Sequence, residues 1–383
     1  MPKNLTPNIK QIYHMNDLKA NRVVQCAGIS CNEFDGSLST VSILQETNNG
    51  NSVTVYTLPN ANDYDTELDF ADSIDNYTLG KSVTGHAQSM SPYISDTNII
   101  TMKLNDTKGK VSKSTLDWPN TIGIMSNLYL DLPSDSKHLP NSRIVRYKNL
   151  LDLATLPKTE IKRLEFWLDT SSQKYACLVF TSSTAYSFVV VTYDGETDGS
   201  LDDEKGLITN LEAIAEDIGE RFAMQADTDS ITDDDYLSDA LKLNVISKTT
   251  IPIQNLNMLT EIIANQHGYH VSNNDHYSTF SLQGVSMDDS GNVYLSSGFS
   301  PKNNDTQQNP IFIVKMPNFA KSSIDNWSLI DLTNNQAIQK SNCFIELESL
   351  QMYASNDTYL SIAYHDRINN MQTIANSLVH LTF

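Results

Sequence analysis

Basic residues are scarce. Lys and Arg number 26 against 46 Asp and Glu, a formal charge of −20 over 383 residues. That balance argues against nucleic acid and anionic lipid as partners, because both are held through clustered Lys and Arg. Charged residues of either sign make up only 19 % of the chain, while 39 % is apolar. The apolar share supplies a core and argues against disorder of the whole chain. No uninterrupted apolar run approaches the ~20 residues that span a bilayer, so no membrane-spanning segment is expected. Cysteine is also sparse: Cys26, Cys31, Cys177 and Cys343. Cys26 and Cys31 have the spacing of neither a zinc ribbon nor a redox pair, so four free thiols are expected. Cys177 lies in an apolar strand-like run and reads as a small core residue. Residues 1–20 carry Lys3, Lys10 and Lys19 but no apolar stretch of the ~7–15 residues a secretory signal needs. They read as an N-terminal extension. The catalytic motifs of serine hydrolases, phosphate-binding loops and zinc proteases are missing as well. No cofactor, no metal and no catalytic residue is expected.

What is present is a succession of short β-branched and aromatic runs separated by Asn, Asp, Ser and Gly. Examples are Val53 to Leu58, Tyr175 to Phe180, Phe188 to Tyr193, Asn292 to Ser296, Ile311 to Met316 and Tyr359 to Tyr364. Such spacing indicates an all-β sandwich, barrel or propeller. Three stretches repeat one pattern of strand, tight turn and strand, beginning at Leu164, Leu282 and Leu350. Asp289-Ser290-Gly291 supplies one of the turns with a residue that tolerates positive φ. Val23-Val24-Gln25 and Gly85-His86-Ala87-Gln88 are two further anchors upstream. These irregular units predict one β-propeller-like domain over 1–383 with five blades; six blades or a pair of β-sandwiches are the alternatives. An acidic segment over 194–245 interrupts the pattern. Leu207, Leu211, Ile214, Ile218 and Phe222 recur there at helical spacing, which predicts a partly helical insertion between blades.

Two metal templates fail. Asp227, Asp229 and Asp233 start a calcium loop, but Thr232 stands where that loop requires Gly and Ser238 where it requires Glu. His267, His270, Asp275 and His276 crowd one loop without a second cluster to complete a zinc site.

A positional argument yields the candidate site. If the first strand of each blade lines a central channel, residues on those strands converge on one polar mouth. These are His86, Gln88, Arg163, Glu165, Gln283, Glu346, Glu348 and Gln351. Glu346 and Glu348, two apart on a strand, would share a face. Amide and carboxylate groups pair well with hydroxyls, so the mouth is a candidate site for a carbohydrate or peptidoglycan fragment. Channel-lining groups satisfied by water are the alternative.

The run Leu282-Gln283-Gly284-Val285-Ser286-Met287-Asp288-Asp289-Ser290-Gly291-Asn292-Val293-Tyr294-Leu295-Ser296, followed by Ile313-Val314-Lys315-Met316-Pro317, resembles the C-terminal half of the helveticin J family. So do Asp325-Asn326-Trp327, Glu348-Ser349-Leu350-Gln351 and Tyr359-Leu360-Ser361-Ile362-Ala363-Tyr364-His365. The resemblance implies a large bacteriocin of the lactic acid bacteria type, secreted or surface-associated without a typical signal peptide. Its expected partner is a component of related Gram-positive cell surfaces, such as a cell-wall glycan. Where the family pattern has His two places before Glu165 and Glu346, this chain has Arg163 and Phe344. A surface adhesin that binds without killing, and a propeller-type hydrolase, are the competing readings.

Overall fold

The computed structural model describes residues 2–32, 37–46, 52–73, 75–80, 90–94, 98–103, 121–127, 142–146, 153–157, 160–168, 175–194, 242–269, 276–302, 305, 307–319 and 323–383. His86, Gln88, the expected helix over 207–222 and the acidic loop over 227–235 lie outside the described residues.

From the N-terminus the strands are β1 (Lys3–Leu5), β2 (Asn8–Asn16), β3 (Val24–Cys31), β4 (Leu38–Glu46), β5 (Ser52–Leu58), β6 (Glu67–Asp69) and β7 (Asp75–Gly80). Next come β8 (Met90–Ile94), β9 (Asn98–Lys103), β10 (Thr121–Asn127), β11 (Ser142–Arg146), β12 (Arg163–Leu168), β13 (Tyr175–Thr181), β14 (Ala185–Asp194) and β15 (Lys242–Pro252). After the helix α1 (Ile253–Gln266) follow β16 (Leu282–Met287), β17 (Val293–Ser297), β18 (Phe312–Met316) and β19 (Ser328–Asp331). The chain closes with β20 (Cys343–Ala354), β21 (Asp357–Asp366) and β22 (Thr373–Thr382).

These strands form five sheets among the described residues: β3-β4-β5-β7, β8-β9-β10-β11, β12-β13-β14-β15, β16-β17-β18-β19 with β1 on its edge, and β20-β21-β22-β2 with β6 on its edge. Up-and-down sheets of about four strands are the building unit of the β-propeller class, and the fold is of that class. The repeat anchors at Val24, Leu164, Leu282 and Leu350 each fall on the first strand of a different sheet.

The chain, expected as one domain, divides into two compact units. One comprises Met1–Thr78, Thr184–Tyr186 and Ile251–Phe383; the other comprises Leu79–Ser183 and Ser187–Thr250. The first twenty residues, read as an extension, supply strands to two sheets of the first unit. β2 lies antiparallel to β22, and β1 lies parallel to β19. Their apolar residues explain the docking, since Leu5, Ile9 and Ile12 pack against a buried cluster of the C-terminal sheets.

Within that unit the β20–β22 sheet is covered on both faces. Tyr359 and Leu378 belong to a cluster shared with β3, β4 and β5, whereas their neighbours Leu360 and Val379 belong to one shared with β17, β18 and β19. Consecutive strand residues point to opposite faces. At about 1.5–3 kcal/mol for each fully buried aliphatic side chain, a one-residue slip of β22 would forfeit both faces at once.

The helix α1 lies outside every segment read as helical. Its signal was nevertheless in the sequence: Leu256, Leu259 and Ile263 recur at helical spacing, and all three are buried.

Candidate functional site

The candidate residues follow from a shared irregularity. The first strands β3, β16 and β20 pack beside one another, and each is interrupted by a bulge. In β3 the register steps past Gln25, in β16 past Gln283 and in β20 past Glu348. A bulge adds one residue, bends the strand and re-aims a side chain. Each bulged residue is an amide or a carboxylate, and all three are buried. The alternation that would put Glu346 and Glu348 on one face is therefore interrupted at Glu348. Gly284 lets the strands approach: a Cβ there would stand 2.7 Å from the Leu350 backbone nitrogen. Gln25 was missing from the candidate set. The parallel between Val24-Gln25 and Leu282-Gln283 was the signal for it.

Gln283 and Glu346 are brought together. The Gln283 Nε2 donates to the Gly298 carbonyl at 2.8 Å and to Glu346 Oε1 at 3.4 Å. Ser300 Oγ donates to the same Oε1. Glu346 Oε2 faces His365 Nε2 at 2.9 Å. The other imidazole nitrogen, Nδ1, is 3.2 Å from the Met371 carbonyl oxygen. A carbonyl only accepts, so Nδ1 carries a hydrogen, and a second proton must lie between Nε2 and Oε2. The carboxylate and imidazole are each less than a tenth exposed. This is a closed network whose hydrogen-bonding capacity is spent on the protein.

Gln351 lies farther along β20 and binds backbone. Its amide accepts from the Ile29 N–H at 2.7 Å and donates to the Ile29 carbonyl at 2.9 Å. Two residues earlier in each strand, the Ala27 N–H donates to Ser349 Oγ at 3.0 Å. The edge of β20 that does not pair with β21 receives the same treatment. Gln308 brackets Ile345 with two bonds of 2.7 Å, and the Met352 N–H donates to Ser286 Oγ at 2.9 Å. A buried strand edge has no water to satisfy its peptide groups, and these side chains act as the missing strand.

Arg163 and Glu165 belong to β12 in the other unit. The guanidinium Nε binds Glu165 Oε1, and the carboxylate is fully buried. Phe344, the second departure from the family pattern, is buried beneath the Arg367 guanidinium at 3.9 Å from its ring centroid. The imidazole that meets Glu346 thus comes from the neighbouring strand.

His267 is engaged rather than vacant. Its Nε2–H donates to Asp331 Oδ2 at 2.7 Å, and Asn334 Nδ2 donates to its Nδ1 at 3.0 Å. Among the described residues no group of three or more His, Cys, Asp or Glu is arranged to hold a metal. The four cysteines are free thiols, and Cys177 is fully buried, as the sequence indicated. Burial pushes both Cys31 and Cys177 up to about 12; at Cys31 the Tyr359 hydroxyl offsets part of that rise. Neither is a ready nucleophile. No described helix is long and apolar enough to cross a membrane.

The geometry thus defines an all-β protein of propeller type whose central strands are joined by buried amide and carboxylate side chains. The family pattern of bacteriocin helveticin-J matches residues 231–383, so that this C-terminal part of the chain is similar to the helveticin J family. Bacteriocin helveticin-J of Lactobacillus helveticus is 31 % identical over 108 residues, which are 27 % of this chain and 32 % of that protein. The chain thus matches about a third of the length of that relative. Among solved structures, an α-L-arabinanase of Cellvibrio cellulosa complexed with arabinohexaose aligns over 97 % of this chain and 92 % of its own, at 8 % identity and a TM-score of 0.36. An aldose sugar dehydrogenase of Streptomyces coelicolor, in a form with bound PQQ, aligns over 78 % of this chain and 96 % of its own, at 10 % identity and a TM-score of 0.22. Such scores lie below the level at which shared chemistry follows.

Proposed function

We propose that the protein is a secreted, helveticin-like antibacterial protein that acts at the surface of related Gram-positive cells by binding a cell-wall component. One observation carries the reading: the family match over 231–383 takes in the α1 helix and strands β16 to β22, of which β17 to β22 share a buried apolar cluster. In this reading Gln283, Glu346, Glu348 and Gln351 hold a binding face in shape from within and do not meet the ligand. The formal charge of −20 favours a protein or glycan receptor over anionic lipid or nucleic acid.

The test adds purified protein to Gram-positive indicator cells and follows survivors and turbidity together. Falling survival is expected, and a parallel fall in turbidity would assign lysis. Full survival across a broad panel, with retained binding to the cells, would replace killing by adhesion. Glu165→Gln and Glu348→Gln variants that fold but do not kill would restore the hydrolase reading.

A further inference from the structure

Of the polar set deduced from the sequence, Glu165, Gln283, Glu346, Glu348 and Gln351 are buried, but a different cluster in the first unit reaches the surface. The α1 helix ends on His267, and Gly268 takes a left-handed φ of 71°. The Tyr269 N–H then donates back to the Ala264 carbonyl at 2.9 Å. This turn brings His267 and Tyr269 to the same side of the helix end. Their ring centroids are 5.8 Å apart, and Tyr277 continues the row 5.4 Å beyond Tyr269. The row is held from the β19 end. Asp331 accepts from the Thr333 N–H through Oδ1 at 2.9 Å and from His267 through Oδ2 at 2.7 Å. Asn334 donates to His267 Nδ1 at 3.0 Å.

Both ring nitrogens of His267 are thereby engaged, Nε2 with Asp331 and Nδ1 with Asn334, which holds the ring in place. The cluster lies at the edge of the core: Tyr269 is buried, whereas Asn334 is exposed, Tyr277 is half-buried, and the His267 and Asp331 side chains are 22 % and 25 % exposed. It combines aromatic rings fixed in place with an amide and a carboxylate at their rim. The C–H face of a pyranose packs on such rings, while its hydroxyl and N-acetyl groups bond the amide and carboxylate. Rings already locked by hydrogen bonds lose little rotamer freedom on binding. With a formal charge of −20 on the chain and Asp331 in the rim, an anionic wall polymer is disfavoured against a neutral one.

We infer that His267, Tyr277, Asp331 and Asn334, with the buried Tyr269 ring between His267 and Tyr277 supporting them, form a binding site for a neutral, N-acetylated glycan. The inference rests on the surface-binding reading and gives it a location and a ligand class.

Binding of the full chain to tetra-N-acetylglucosamine, by calorimetry, and to purified Gram-positive cell walls, by co-sedimentation, tests it. Wild type should bind both probes. Tyr277→Ala and Asn334→Ala should each weaken binding about tenfold, the effect of ~1.4 kcal/mol, with an unchanged unfolding transition. Tyr277→Phe should keep the affinity, because it keeps the ring. His380→Ala should bind as wild type, since it removes a different stacked pair, His380 on Tyr359 at 4.4 Å. Equal binding by wild type, Tyr277→Ala and Asn334→Ala would overturn the site. So would failure of wild type to bind either probe, even while the cells die, and the antibacterial reading would then stand without this site. Failure of both binding and killing would remove the two together.

Discussion

Gln351 completes the backbone of Ile29. Its carboxamide takes the Ile29 N–H at 2.7 Å and returns a hydrogen to the Ile29 carbonyl at 2.9 Å, across 322 residues of sequence. A primary amide has the same donor and acceptor as a peptide group, so it can stand in for a strand where the sheet ends. A carboxylate cannot. Gln351→Glu would keep the bond from the N–H but set an acceptor against the carbonyl. Loss of about 2–4 kcal/mol is expected, more than for Gln351→Ala, which forfeits both bonds without adding repulsion. Denaturant titration of both variants checks the order, and an Ala variant less stable than the Glu variant would contradict the clamp.

The Glu346–His365 pair makes a second prediction. Removing His365 leaves a buried carboxylate with Ser300 and Gln283 but without its proton-sharing partner. His365→Ala is expected to cost about 3–5 kcal/mol, and the joint replacement Glu346→Leu with His365→Phe less than the two single changes added. Under the proposed function, killing of indicator cells per folded molecule should be unchanged in the joint variant. A selective loss of activity with normal folding would assign the pair a chemical role.

Gly291 makes a third. It closes the β16–β17 hairpin with a φ of 75°, and a Cβ placed on it would stand 2.6 Å from the Phe319 ring. The turn is held by Asp288, which accepts from the Ser290 and Asn292 N–H groups at 3.0 Å each and from the Tyr294 hydroxyl at 2.7 Å. Gly291→Ala should destabilise the protein by about 1–3 kcal/mol. The same change with Phe319→Ala should cost less than the two singles combined, as thermal unfolding would report.

The thiols give a pH dependence. Cys31 and Cys177 are raised from 9.0 to about 12, mainly by burial. A thiol that ionises later in the folded state contributes stability that is fully present below pH 9. That contribution fades as pH rises through the folded value, about 12. At pH 8, Ellman's reagent should react slowly with native protein and promptly with four thiols after unfolding. Rapid labelling of Cys31 in the native state would contradict the burial.

Much of the fold was legible because its signals are local. Alternating β-branched runs, the Asp-Ser-Gly turn and the repeated anchor at Leu164, Leu282 and Leu350 each state a strand or a hairpin without reference to the rest of the chain. The candidate site was legible only in part. The sequence could mark Gln283, Glu346 and Gln351 as polar residues on first strands, since position follows from the repeat. It could not say what they face, because a buried strand edge and a ligand pocket both call for amides and carboxylates.

By itself, then, the sequence determined an all-β repeat of propeller type, the likeness of its C-terminal part to the helveticin J family and its acidic character, all of which depend on composition and on short-range pattern. Only the tertiary structure decided that β1 and β2 complete C-terminal sheets and that Gln351 pairs with Ile29. It alone placed His365 beside Glu346, and Asn334 on His267. Each of those relations joins residues distant in sequence or on different strands, and it exists only once the sheets have packed. Strand periodicity carries no record of which edge will lie beside which.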